Sequence, residues 1–506
     1  MSDRDAALQT TENIATEYNL PVQQEYPSGV KLWLIIVTVG AVLVLASIDQ
    51  NIVATAVPSI TDHFHTVADV AWYSSAFRLT NCAFQFIFGK AYTLFSAKRV
   101  YLFANAITIA GSLLCATAST STILVVGRAV AGLGAAGLFS GCWVILVHSI
   151  PLRRRPLLAG IMSGIEGLAT LIAPILGGAL TQSLGWRWCF YIAVPIGVVT
   201  FVLTMCCLSD TQMPGDMARM TFIQKILQLD LLSNLLFLPV LTSLFLAFSW
   251  AGTKYPWSSG KVIGPLVTFA VLLAAFVYYQ IRRGDGAALP PRIIKRRTVI
   301  AGFIFITCTN STANVLEYYL PTYYQTVRGY SPARSGYMMF PIIVGATIGS
   351  FIHGAGTSAF GYYAPFMLVG SVLMPIGAGL VTTFKIDTSN AVQTVLPADD
   401  VSLGLAIILF AQSFGPAVAI AVAQVVFTNQ LSTNLHGLVP GLSPASIENS
   451  SLAEIITSVP QAQTISVLVG IDKSLAQTWY LVVGLAGTTI LGSAIMEWRS
   501  VKAKRA

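Results

Sequence analysis

Apolar runs long enough to cross a bilayer recur along this chain, and no other sequence feature constrains its fold as strongly. They lie at 32–57, 71–95, 99–118, 122–149, 156–182, 187–208, 229–250, 261–281, 298–325, 334–353, 361–384, 401–428 and 478–497. A hydrocarbon core of ~30 Å takes about 20 helical residues, so each run is of spanning length. Composition points the same way. Of the 506 residues, 55% are hydrophobic and 10% charged, far from the roughly quarter-charged make-up of soluble domains. The sequence therefore predicts an all-α polytopic membrane protein with about thirteen spans.

Charge sets the orientation. The basic segments "SAKR" (96–99), "PLRRRP" (151–156), the turn around Arg219 and Lys225, and "IRRGDGAALPPRIIKRR" (281–297) fall in alternate loops, which the positive-inside rule assigns to the cytosol. Between them, "TDHFHTVAD" (61–69) has acids but no Lys or Arg, and "ASTST" (118–122) and "TQSLG" (181–185) are uncharged. These face outward. The net charge of +8 is thereby accounted for by loops, and no nucleic-acid partner is expected. The seven cysteines (Cys82, Cys115, Cys142, Cys189, Cys206, Cys207, Cys308) lie in or beside apolar runs without metal-type spacing. Buried thiols are expected, with no metal and no cofactor.

Residues 1–30 are polar, carry Asp3, Asp5, Glu12, Glu17 and Glu25, and lack an apolar core. A disordered cytosolic tail is expected there, not a cleaved signal. The rest divides into an amino-terminal bundle (31–208), two extra helices with cytosolic linkers (209–297), a carboxyl-terminal bundle (298–498) and a basic tail (499–506). Two six-span-type blocks suggest the internal repeat that transporters use for alternating access.

Few charges lie inside the spans. Asp49 in "AVLVLASIDQNIVATAVPSI" (41–60) would cost ~2.5–3.5 kcal/mol at a helix centre, so it should face the bundle interior with a partner. Counting 1.5 Å per residue places Asp49 and Arg78 each ~11 Å below the outer surface, with Arg128 at similar depth. Asp49 is thus expected in a cluster with Arg128, and Arg78 is a second candidate partner. Such a cluster either fixes helix packing or carries a proton as the carboxylate alternates between arginine-paired and drier surroundings. Glu166 lies ~15 Å deep in the fifth span, as a second protonation or substrate-contact site or as a hydrogen-bonded neutral acid. Glu317 sits among Tyr318, Tyr319, Tyr323 and Tyr324, at the mouth of an exit path or merely beside an interfacial tyrosine belt. Trp186 and Trp257 read as interfacial anchors. With no nucleotide-binding fingerprint, energy must come from an ion gradient.

Five segments together resemble the fungal toxin-efflux branch of the fourteen-span drug:proton antiporters in the major facilitator superfamily. They are "SIDQNIVATAVPSITDHF" (47–64), "FGKAYTLFSAKRVYL" (88–102), "GRAVAGLGAAG" (127–137), "GLATLIAPILGGALTQSLGWRWCFYIAVPIG" (167–197) and "GTKYPWSSGKVI" (252–263). The resemblance implies the major facilitator fold, two bundles flanking two extra helices. It also implies proton-driven export of a small apolar toxin, drug or secondary metabolite. A monomer in the plasma membrane is expected, with a vacuolar or vesicle membrane as the alternative. Gly164, Gly167, Pro174, Gly177 and Gly178 match the family's antiporter signature, whose small residues permit close helix packing, though Ala173 stands where glycine is usual. Gly89, Lys98 and Arg99 match its gating loop, but Thr93 replaces the customary acid. Competing readings are a proton-coupled importer of sugar or siderophore type, and a receptor or scaffold, which would need a large soluble domain. An enzyme is not expected.

One helix of the family pattern is missing. "KIDTSNAVQTVLPADDV" (385–401) leads straight from the eleventh run to the twelfth, and a segment of about one span is lacking between Ala391 and Gln393. Either the 401–428 run folds back as a hairpin at Phe414–Pro416, or the chain is a mis-spliced or deleted product whose transport is impaired. The sequon at Asn449 is expected to carry a glycan.

Overall fold

The computed structural model describes residues 27–64, 70–151, 154–208, 220–251, 255–330, 332–382, 402–438, 452–457, 459–460 and 463–497. The described chain folds into helices, with no strand among them. In order they are α1 (Gly29–Asn51), α2 (Val53–Phe64), α3 (Val70–Leu94), α4 (Ala97–Ala116), α5 (Ser121–Ser149), α6 (Arg155–Ser183), α7 (Trp188–Tyr191) and α8 (Ala193–Cys207). Next come α9 (Phe222–Gln228), α10 (Leu231–Trp250), α11 (Gly260–Arg283) and α12 (Pro291–Ile294). The last six are α13 (Arg297–Thr322), α14 (Pro332–Phe360), α15 (Ala364–Thr382), α16 (Ser402–Asn434), α17 (Leu452–Thr457) and α18 (Thr464–Ile495). Twelve described stretches are long and apolar enough to span. A thirteenth, α3, has the length at 25 residues but carries Arg78, Asn81, Gln85 and Lys90.

Every apolar run of the sequence thus becomes a helix. The largest shift is α18, which begins at Thr464; Asp472 and Lys473 lower the hydropathy of its first turns and hid them. The first span turns at Ile52, three residues beyond Asp49, and resumes as α2.

Packing divides the helices by neighbourhood. In the first bundle α5 lies against α3 and α4, and α1 lies against α6 and α8. Glycines make this possible: a Cβ at Gly132 would fall 2.2 Å from Phe77 O, so α5 and α3 touch backbone to backbone. In the second bundle α13 packs on α16 and α18, and α15 on α18. Helices α10 and α11 pack on each other, and α10 also meets α3.

Several sequence expectations change. Trp186 is buried against Phe64 and Phe190 instead of anchoring at the interface, whereas Trp257 is exposed. Tyr319, Tyr323 and Tyr324 are core residues, with the Tyr319 hydroxyl donating to Gln424 Oε1 at 2.9 Å, so they form no interfacial belt. Of the cysteines, Cys82, Cys115, Cys142 and Cys189 are buried, but Cys206 is exposed and Cys207 and Cys308 are intermediate, because their helix faces look outward.

Helix direction bears on the span count. Thr307 and Tyr319 of α13 meet Gly415 and Gln424 of α16 in the same order, so these two helices run in parallel. Ser493, at the end of α18, bonds Met367 O at 3.2 Å near the start of α15, and Arg297, at the start of α13, bonds Ile495 O at 2.5 Å. Helices α13, α15 and α16 therefore all start on one face. Helices α15 and α16, consecutive among the described spans, therefore run the same way. No hairpin forms at Phe414–Pro416, since α16 passes through it as one helix; a fold-back would have left backbone groups at membrane depth without partners. Ala391, Gln393 and Asn449 lie outside the described residues.

Candidate transport site

At the centre of the first bundle Arg128 is fully buried. Its Nη1 lies 3.0 Å from Asp49 Oδ1 and 3.0 Å from Asp49 O, and its Nε donates to Tyr73 O at 3.0 Å. The guanidinium also lies over the Phe77 ring, 4.4 Å from its centroid. Local sequence explains this placement. Glycines and alanines on α5 let α3 come close enough for a main-chain carbonyl to reach the arginine, and the turn at Ile52 falls three residues after the acid.

The pair is incompletely satisfied. Asp49 Oδ2, Arg128 Nη2 and Ser47 Oγ are buried without a hydrogen-bond partner. A buried ion pair is stabilising only when its remaining lone pairs and protons are satisfied as well, and here one oxygen and one nitrogen of the pair are not.

Arg78 departs from expectation. It forms no ion pair with Asp49; its Nη2 reaches Asn51 Oδ1 at 3.4 Å instead. Arg128 already covers the carboxylate, and a second guanidinium there would meet like charge. Across the bundle interface Arg78 is within electrostatic reach of Glu317 on α13, without a salt bridge between them. Glu317 and Glu166 are both half-buried, and neither is salt-bridged to a described residue. The structure therefore brings together Asp49 with Arg128, leaves Arg78 and Glu317 without a direct contact, and leaves Glu166 separate on α6.

Two seams join the bundles. Where α6 meets α14, a Cβ at Gly160 would fall 2.4 Å from Ser350 O, and one at Gly354 2.4 Å from Pro156 O. Leu157 N–H donates to Ser358 Oγ at 3.3 Å. Further up, Gly164 would meet Thr347 at 3.0 Å and Gly167 only at 3.8 Å, while Gly178 would meet nothing within 4 Å. The seam is closed at the basic face and loosens toward the other. Gly177 packs within its own bundle, against Thr55 and Ile52, and Pro174 is exposed on α6. At the second seam Phe86 of α3 meets Phe410 of α16, centroids 5.0 Å apart. Lys98 donates to Met205 O at 2.7 Å and so ties the loop after α3 to the end of α8. Gly89 is buried and Arg99 exposed. Tyr73, Phe77, Gly160 and Gly354 were missed by sequence reasoning; the four-residue spacing of Gly160 and Gly164 was a readable signal, whereas Tyr73 contributes through its main chain and gave none.

Two helical bundles of apolar spans, with a buried ion pair and seams closed on one face, have the architecture of a membrane transporter. Residues 39–443 match the sequence profile of the Major Facilitator Superfamily, and the chain belongs to that family. It is similar to the MFS-type efflux pump MFS1 of Arthroderma benhamiae, 40% identical over 94% of this chain and 93% of that one. It is also similar to the efflux pump aflT of Aspergillus parasiticus (37%; 94% and 98%) and the efflux pump roqT of Penicillium rubens (39%; 91% and 89%). Among solved structures, the proton:xylose symporter XylE bound to 6-bromo-6-deoxy-D-glucose superposes with a TM-score of 0.53 at 11% identity, covering 92% of this chain and 94% of that one. That likeness concerns the fold. The alignment with MFS1 runs over 501 positions, yet 94% of 506 residues is about 476, so about 25 positions have no counterpart here, roughly the length of one span.

Proposed function

We propose that this protein exports small, mostly apolar molecules, of toxin, drug or secondary-metabolite type, in exchange for protons. The observation that carries the reading is the buried Asp49–Arg128 pair at 3.0 Å with Asp49 Oδ2 and Arg128 Nη2 unsatisfied. Such a carboxylate gains a proton when its surroundings dry and loses it when the arginine returns, which links proton binding to the alternation of the bundles. The names of the similar proteins support export over import. Arg78 and Glu317, one from each bundle and within electrostatic reach of each other, form the charged part of the substrate pathway, and Glu166 is a second acid on its wall. Gly164 and Gly167 pack the seam that must open, Gly177, Gly178 and Pro174 shape the upper part of α6, and Gly89, Lys98 and Arg99 form the gating loop. The division at 31–208, 209–297 and 298–498, a monomeric state, a plasma-membrane location and a glycan at Asn449 complete the proposal.

The test is export of a fluorescent dye, rhodamine 6G, from cells lacking their own pumps, with and without a protonophore. Loss of export in a well-expressed Asp49→Asn protein supports the reading. Unchanged export removes Asp49 from the mechanism.

A second reading rests on the second bundle. In the first bundle α5 fills the seat between α3 and α4; no described helix fills the corresponding seat between α14 and α15. With α15 and α16 running the same way, this favours a chain lacking one span, and its export would then be weaker than that of a fourteen-span parent.

A further inference from the structure

The two helices between the bundles hold a polar network that no transport role above uses. Asp230, at the start of α10, is 2% exposed and has φ 56°, a left-handed backbone uncommon outside glycine. Its Oδ1 accepts the Tyr279 hydroxyl at 2.9 Å and pairs with Arg283 Nη1 at 3.5 Å. Its Oδ2 accepts the Ala288 N–H at 2.8 Å and the Ser233 hydroxyl. Gln280 completes the ring, donating to Ser233 Oγ at 2.7 Å and accepting the Leu289 N–H at 3.1 Å. The linker that leads into the second bundle is thereby pinned beneath α10 and α11.

From the first bundle, Lys90 at the basic end of α3 reaches the same linker. Its ammonium donates to the carbonyls of Gly286 and Ala287, the latter at 3.2 Å. Beside this contact Phe237 of α10 lies against both Phe86 of α3 and Phe410 of α16, at 5.5 Å from each. Helix α10 therefore touches the two bundles where their second seam closes.

We propose that α10, α11 and the pinned linker form a clasp over the α3–α16 seam, in which Lys90 and Asp230 are positioning residues that set how readily the basic face opens. Opening that face requires α3 to part from α16. Phe86 must then leave Phe410, and Lys90 must either release its two carbonyls or drag the linker with it. The Asp230 network resists the second course, because a buried carboxylate with four partners holds residues 288–289 in place. Hydrogen bonds from a charged donor are about twice as strong as neutral ones, so losing the Lys90 contacts should raise the open fraction about tenfold. The inference rests on alternation of the two bundles, and not on the direction of transport or its coupling to protons.

The test uses the full-length chain in lipid vesicles with six cysteines changed to serine and Cys82 kept. Cys82 is 1% exposed and belongs to the same buried cluster as Phe86, Phe237 and Phe410, so its labelling by a membrane-impermeant maleimide from the basic face reports opening of the seam. Lys90→Met and Asp230→Asn should each speed labelling about tenfold, whereas Lys90→Arg, which keeps the charge and donors, should restore the parent rate. Parent-like labelling in Lys90→Met, or equal acceleration in Lys90→Arg, overturns the proposal. If Asp230→Asn fails to fold, the half-buried Lys90 decides alone. Because labelling needs no substrate, a protein that fails to export dye still answers the question.

Discussion

Removing Arg128 should damage the protein more than removing Arg128 and Asp49 together. Arg128→Gln deletes the 3.0 Å contact to Asp49 Oδ1 and disturbs those to Asp49 O and Tyr73 O, while the carboxylate stays 2% exposed with no other cation beside it. Breaking one side of a buried pair costs ~3–5 kcal/mol, whereas replacing both sides is often close to neutral. The double variant Asp49→Asn with Arg128→Gln should therefore recover at least one of the two single losses, ~3 kcal/mol or more relative to their sum, a coupling at or beyond the upper end for residues in contact. Measured as thermal unfolding of the purified protein in detergent, each single variant should melt roughly 5–10 °C lower, with the double variant no worse than either. All three should fail to export dye under a proton gradient. Additive losses of stability across the cycle would refute the reasoning, because they would mean the two charges do not compensate each other.

Gly160→Leu should abolish transport in a protein that still reaches the membrane, since a Cβ there already meets Ser350 O at 2.4 Å; export assayed beside surface expression checks it. Gly178→Ala, with nothing within 4 Å, should leave export unchanged in the same assay. Glu317→Gln should reduce dye export at least tenfold with a melting point within ~2 °C of the parent, because the acid has no salt-bridge partner whose loss would destabilise the fold; a parallel fall in melting point and export would instead mark a structural residue. Sequencing the transcript across the junction at Ala391–Gln393 should reveal a variant carrying about one span's worth of extra residues, and that longer protein should export dye faster.

The spans were legible because each must bury about 20 apolar residues against lipid, and such a pattern survives almost any detail of packing. What stayed hidden depended on rotation about helix axes. Asp49 and Arg78 share a depth, which residue counting finds, but Arg128 occupies the face that Asp49 presents, and Arg78 is left to Asn51. Depth alone does not fix azimuth. The tyrosines after Glu317 failed for a related reason, since α13 continues as a π-helical turn to Val327 and carries Tyr323 and Tyr324 into the core. Gly160 was within reach of the small-residue argument already applied to Gly164. The Asp230 network was not, because an acid just before an apolar run reads as an ordinary helix start until its partners from α11 and the linker are seen.

The central claim is outward transport in exchange for protons, and one measurement tests it directly. Inside-out vesicles bearing the purified chain are given an acid interior and rhodamine 6G in the medium, and dye entry is followed with and without a protonophore. An exporter that exchanges protons should accumulate dye in the lumen as protons leave, stop when the protonophore collapses the gradient, and do neither when Asp49 is changed to Asn. Dye entry that ignores the gradient, or flux that runs out of the vesicles while the lumen is acid, would contradict the account.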